Sequence, residues 1–232
     1  MIYNDTYQER LGYFGFYNTV SFVMLYMIHQ CLKLINRRAV WFQLHCAANI
    51  IVAFYTYNDV LDCFNNPERS SEPISYYIAP CTTLMLHLYH VLFFKLRTDD
   101  WIHHIGSCFI CTPMCLNYPK KGFAIYCFFC CGFPGAIDYM LLVLHKNDWC
   151  PKIVEKKINA YLNSYVRMPG GIIGGYLIYK DAYLMETTFL LYSNLSLSFL
   201  IFMNTCYYGK QAIENYGVWK VHRQNETFKK SF

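Results

Sequence analysis

Residues 11–31, LGYFGFYNTVSFVMLYMIHQC, contain no Asp, Glu, Lys or Arg. Six further runs are almost as free of charge: 39–57, 74–94, 101–118, 122–144, 158–179 and 182–206. At 1.5 Å per residue, a run of about 20 residues matches the ~30 Å hydrocarbon core of a bilayer. No water reaches that depth, so each backbone N–H and C=O must be satisfied within the chain; helices do this, and the ten-residue alternating strands of a barrel are not visible. The expectation is therefore an all-α polytopic membrane protein with about seven transmembrane helices. Only 15% of residues are charged and 55% are hydrophobic, against about 25% charged in a soluble domain. Tyrosine, with 22 copies, keeps mean hydropathy at +0.17 and suits a boundary that is dry on one side and wet on the other.

Lysine and arginine set the orientation. With the N-terminus lumenal and the C-terminus cytosolic, inner segments hold fourteen of the 20 basic residues, among them Arg37, Arg38, Lys95, Lys152 and Lys156. Outer segments hold five: Arg10, Arg69, Lys120, Lys121 and Lys180. This divides the chain into a lumenal N-terminus (1–10), a first helix with its cytosolic loop (11–38), a six-helix membrane domain (39–206) and a cytosolic basic tail (207–232). The first run has no basic leader or small-residue cleavage site and reads as a retained helix. Residues 148–157 read as a solvated connector. The net charge of +5 follows from the inner loops and tail, and no nucleic-acid motif is present. The terminal KKSF resembles the dilysine signal read by coat proteins in the cytosol, here Lys229 and Lys230. Asn4–Asp5–Thr6 is a glycosylation acceptor facing the lumen.

Most of the 12 cysteines fall inside runs and read as packing side chains, with Cys63 placed in an outer loop and no disulfide expected. Cys108, Cys111 and Cys115 share a helix face and read as a packing stripe. Gly170 with Gly174, and Gly171 with Gly175, form two small-xxx-small pairs for close helix packing. The GFPGA stretch at 132–136 should kink its helix.

Ionisable groups at membrane depth are costly and usually face a cavity; here they are His29, His45, His87, His90, His103, His104, Asp138 and Arg167. His87 and His90 lie about 12 and 7 Å in from Lys95, Asp138 about 10 Å from the inner end of its run, and Arg167 about 14 Å into the next. His103 and His104 sit at the inner end of the fourth run. Several helices thus deliver titratable groups to one slab near the cytosol, with Asp99 and Asp100 at its rim. Adjacent His103 and His104 diverge by about 100° and cannot aim at one point. A histidine oriented by a buried carboxylate such as Asp138 is a usual base arrangement. HLYH and WIHH superficially resemble the histidine boxes of membrane di-iron hydroxylases, but the second His-His box is missing, so no metal ligands are expected.

DDWIHHIGS (99–107), followed about 30 residues later by PGAIDYMLL (134–142), resembles the TLC-domain family, which includes ceramide synthases and translocating-chain-associated membrane proteins. In that family an acidic loop precedes a His-His pair, matched here by His103 and His104, and an aspartate follows on the next helix, matched by Asp138. The resemblance spans about residues 39–206. It implies an endoplasmic-reticulum protein of lipid metabolism and, in the synthase branch, transfer of a fatty acyl group from acyl-CoA to a lipid amine, with His103, His104 and Asp138 catalytic. Substrate binding would then fall to His87, His90, Arg167, Asp99 and Asp100, with no bound cofactor and acyl-CoA as co-substrate. The chain departs from the synthases at Gly135, where they carry a second aspartate, which points towards the broader family. The rival expectation is a non-catalytic lipid-sensing or cargo-trafficking protein of the endoplasmic reticulum.

Overall fold

A computed structural model describes residues 7–35, 37–96, 98, 101, 104–106, 120–185 and 187–230. The described chain is helical: α1 (Tyr7–Ile35), α2 (Val40–Asn65), a short 3-10 turn (Pro67–Ser71), α3 (Ile78–Phe93), α4 (Lys121–Lys146), α5 (152–182) and α6 (Thr188–Lys230). Pro73 and Lys120 form an isolated antiparallel bridge. Three helical stretches are long and apolar enough to cross a membrane, Glu9–Ile35, Lys121–Lys146 and Thr188–Gln224, and α3 is a shorter apolar helix. The fourth expected span, 101–118, lies almost wholly outside the described residues.

Helix α1 shows how a span divides its faces. Ser21, Leu25 and His29, each one turn apart, are buried, while Phe16, Val23, Met27 and Leu34 are exposed. The buried stripe meets α3, where Ser21 Oγ lies 3.3 Å from Thr82 Oγ1 and His29 Nδ1 lies 2.7 Å from Tyr89 OH. Both sequence numbers rise together, so α1 and α3 run parallel. Polar pairs of this kind join helices where the surroundings offer no hydrophobic driving force.

The remaining neighbours are antiparallel. Trp41 of α2 stacks on His90 of α3 with ring centroids 3.8 Å apart, while Asp59 near the other end of α2 accepts from Ser75 N and Oγ just before α3. Along α2 and α4, Cys46 donates to Ala136 O and Lys121 Nζ meets Asp62 Oδ2 at 2.6 Å. Helices α4 and α5 close on glycine: a Cβ at Gly174 would lie 3.0 Å from Tyr126 N, and one at Gly170 would collide with Phe129. The neighbouring glycines face α6 instead, Gly171 against Thr205 and Gly175 against Ser198 O. Both small-xxx-small pairs therefore pack inside the bundle, one against each neighbour.

One end of the bundle gathers Asp62, Glu72 and Lys121, with Ser70 donating to Asp181 Oδ1 at 3.1 Å. The opposite end carries the exposed Arg38–Asp148 ion pair at 2.9 Å. Phe94 lies at that second end, against Trp41, and Lys120 at the first, so the described chain leaves from one end and returns at the other.

Several boundaries differ from expectation. Helix α2 continues to Asn65, because Asp59 and Asp62 find Ser75 and Lys121 rather than water. Cys63, expected in an outer loop, is consequently buried in α2 at 2% exposure. The connector 148–157 is mostly helix: α5 begins at Lys152 and buries Glu155, whose carboxylate meets Lys156 Nζ at 3.3 Å. The last span begins at Thr188 rather than 182, and it continues through the expected tail to Lys230. Its 43 residues correspond to about 65 Å, more than twice a hydrocarbon core. All the described cysteines are free; Cys108, Cys111 and Cys115 lie outside the described residues, as do Asn4–Thr6.

Candidate functional site

Two interruptions of regular helix shape the interior. Residues Cys127–Gly132 of α4 and Asn163–Arg167 of α5 are π-helical turns, and each is followed two residues later by a proline, Pro134 and Pro169. A proline ring displaces the carbonyl four residues back, here 130 and 165, and gives no N–H in return. The wider π turn absorbs that fault, and such turns recur at functional sites. The stretch expected to kink, 132–136, is preceded by the π turn that ends at Gly132, and a second, unexpected, π turn lies in α5.

Between them lies a cavity of about 660 Å³, lined from α2, α3, α4, α5 and α6 together with Lys95 and His104. Its volume falls within the ~300–1,000 Å³ of small-molecule sites. It occupies the half of the bundle nearer the Arg38–Asp148 end, since its walls come from residues 41–49 of α2 and 83–90 of α3.

Histidines form one wall. His90 Nδ1 lies 3.2 Å from His104 Nε2, and the His87 ring is 4.9 Å from that of His104. His87 and His90, three residues apart, do share a face, as the helical spacing predicts. The Nδ1 atoms of His87 and His45 hydrogen-bond the carbonyls one turn back, at 2.6 Å to Thr83 O and 3.2 Å to Trp41 O. Those bonds fix Nδ1–H as the donor, which turns a basic Nε2 away from each helix. His45 is also clamped between Trp41 (3.7 Å) and Tyr139 (4.3 Å).

Asp138 and Arg167 occupy the facing walls, on α4 and α5. Among the described residues no hydrogen bond joins Asp138 to a histidine: His104 bonds His90, and Asp138 Oδ1 is sealed from solvent with no hydrogen-bond partner. Arg167 Nη1 donates to Asn163 Oδ1 at 3.2 Å, and Asn163 Nδ2 in turn donates to Asn159 O at 2.9 Å. His103, Asp99 and Asp100 lie outside the described residues. Among the described residues, no three His, Cys, Asp or Glu side chains are grouped as a metal site requires.

Spacing alone could have found the other lining groups. Trp41, His45 and Asn49 recur every four residues on α2, and Asn159, Asn163 and Arg167 do so on α5. A third stripe, Asn204, Tyr208, Gln211 and Asn215, runs along α6 into the stretch read as tail. Each is a polar line on a helix whose other faces are apolar, the pattern of a cavity wall. Gly135 supports the first stripe, because a Cβ there would sit 2.6 Å from Asn49 Nδ2. A larger side chain at 135 would require the Asn49 amide to shift.

What this arrangement can do chemically is accept a proton and hold charge. A neutral imidazole can deprotonate an amine or hydroxyl, and a second imidazole hydrogen-bonded to it can relay the proton. Compared with known protein families, with curated proteins and with solved structures, the chain matches none.

Proposed function

We propose that this membrane protein modifies lipids of the endoplasmic reticulum, transferring a fatty acyl group from acyl-CoA to a lipid amine inside the cavity. The observation that carries the reading is that α3, α4 and α5 deliver His87, His90, Asp138 and Arg167 to one cavity together with His104, in a bundle with membrane-length apolar helices. The resemblance of 99–107 and 134–142 to the TLC-domain pattern supports it independently.

In this reading the neutral amine attacks the thioester carbonyl carbon, forming C–N as C–S breaks. His104 takes the amine proton, His90 stabilises the resulting imidazolium, and the proton passes to the departing thiolate. Lys95, at the cavity wall, offers a cation to the anionic end of the co-substrate. His103 shares in this chemistry through the matched motif.

The test is membrane lipidomics with labelled fatty acid in cells expressing the wild type, His104→Ala, His103→Ala with His104→Ala, or Asp138→Ala at matched protein levels. The wild type should raise one amide-linked lipid class, and the variants should lower its labelling by about 10²-fold or more. Identical lipid profiles for all four would sink the enzyme reading in favour of a lipid-sensing or cargo protein.

A further inference from the structure

The cavity contains two opposite charges that do not meet. Asp138 and Arg167 both line it, yet no ion pair within 4.0 Å joins them among the described residues. Asp138 Oδ1 and Arg167 Nε are each sealed from solvent and without a hydrogen-bond partner. Arg167 is held from its own helix, through Nη1 to Asn163, which fixes the guanidinium at the cavity wall while leaving its remaining terminal donors for an oxyanion. Buried unpaired charge is strongly unfavourable, and a chain that holds two such charges apart in one cavity presents the two halves of a site.

We propose that the cavity binds a zwitterionic headgroup, with its ammonium against Asp138 and its phosphate or carboxylate against Arg167. An anion alone would occupy Arg167 and repel the Asp138 carboxylate. An amine alone would leave Arg167 in the same position. A ligand of zero net charge carrying both signs satisfies both, and its lipid or soluble form shares this chemistry. Asn49, 5% exposed, packs its amide against Gly135, one helical turn before Asp138 on α4, and lines the same cavity. The inference rests on the cavity being the lipid-amine site of the proposed reaction and names the acceptor's second charge; the ammonium held by Asp138 is the resting form, and it loses one proton to solvent through a cavity histidine before the neutral amine attacks the thioester.

The test is equilibrium binding to the full-length protein in detergent, with four probes: dihexanoyl phosphatidylethanolamine, the matched dihexanoyl phosphatidylethanol that lacks only the ammonium, hexylamine, and chain-free glycerophosphoethanolamine. The ethanolamine lipid should bind about tenfold tighter than either single-charge probe. That ratio over phosphatidylethanol should fall to about one in Asp138→Asn, and Arg167→Gln should weaken both phospholipids about tenfold. Glycerophosphoethanolamine binding as tightly as the lipid assigns the site to a soluble zwitterion; weaker binding assigns it to a lipid, and both keep the charge pairing. Equal wild-type binding of phosphatidylethanolamine and phosphatidylethanol, or no binding of any probe, overturns the proposal, and this wild-type comparison decides even if a variant does not fold. Acyl transfer that requires His104 without zwitterion preference would remove only this inference; zwitterion preference without transfer would remove only the reaction.

Discussion

His90 Nδ1 and His104 Nε2 lie 3.2 Å apart, so a single proton on one ring must be shared with the lone pair of the other. Neither ring is an independent polar group, and removing either one changes the protonation options of its partner.

This coupling is measurable as stability. In denaturant titrations of the detergent-solubilised protein, His90→Ala and His104→Ala should each destabilise by about 1–3 kcal/mol. The double variant should cost less than the sum by about 0.5–1.5 kcal/mol, because the hydrogen bond is lost once. Effects that add to within about 0.3 kcal/mol would contradict a direct bond.

Gly135 and Asn49 make a second coupled pair. An alanine methyl at 135 would meet Asn49 Nδ2 at 2.6 Å, so Gly135→Ala should destabilise by about 1–3 kcal/mol through overpacking. Adding Asn49→Ala should recover much of that loss by vacating the space. Gly12→Ala, where a methyl meets nothing within 4 Å, is the control and should leave the melting temperature at or above that of the wild type. No recovery in the double variant would mean that position 135 is intolerant for a different reason.

These two pairs mark where the sequence was legible. Charge-free runs located α1, α3 and α4 to within four residues, because hydrocarbon burial is a property of each segment taken alone; α5 begins six residues before its run. The depth argument also brought His87, His90, Asp138 and Arg167 to one cavity before any contact was known. Partners were another matter. Whether Asp138 meets a histidine or faces open space depends on helix rotation, and the π turns before Pro134 and Pro169 alter rotation in a way no spacing rule anticipates. Boundaries failed for a related reason: Asp59, Asp62 and Glu155 read as loop residues on charge, but Ser75 and Lys121 satisfy Asp59 and Asp62 within α2, and Lys156 pairs with Glu155 within α5.

The acidic residues outside the membrane-spanning segments give a pH signature. The hydrogen bond from Lys121 holds Asp62 below its ordinary value of 3.8, so its contribution is complete above about 4 and is lost as pH falls through the folded value. Asp59 and Asp181 have the opposite sign: burial raises both, and their contributions weaken as pH rises through their folded values. Asp62→Asn should therefore lower the melting temperature at pH 7, and the gap to the wild type should close as pH approaches about 3. A gap that is constant from pH 7 to 3 would show that the Asp62 charge contributes nothing.

The two ends of the bundle should open to opposite sides of a membrane. Glu68, near the Asp62–Lys121 cluster, and Lys146, near Arg38–Asp148, are both exposed, and α4 joins the ends with 26 residues, about 39 Å and enough to cross the hydrocarbon core. Glu68→Cys and Lys146→Cys variants, in a background with Cys31, Cys150 and Cys206 changed to serine, can be labelled in sealed microsomes with an impermeant maleimide. The basic residues near Lys146 predict that it faces the cytosol, so Lys146→Cys should label in intact vesicles and Glu68→Cys only after permeabilisation. The reverse pattern would keep the crossing and invert the topology, moving the cavity mouth beyond the reach of cytosolic acyl-CoA. Labelling of both variants in intact vesicles would mean that α4 does not cross, and the exposed Phe16, Met27 and Phe199 would then need a partner other than lipid.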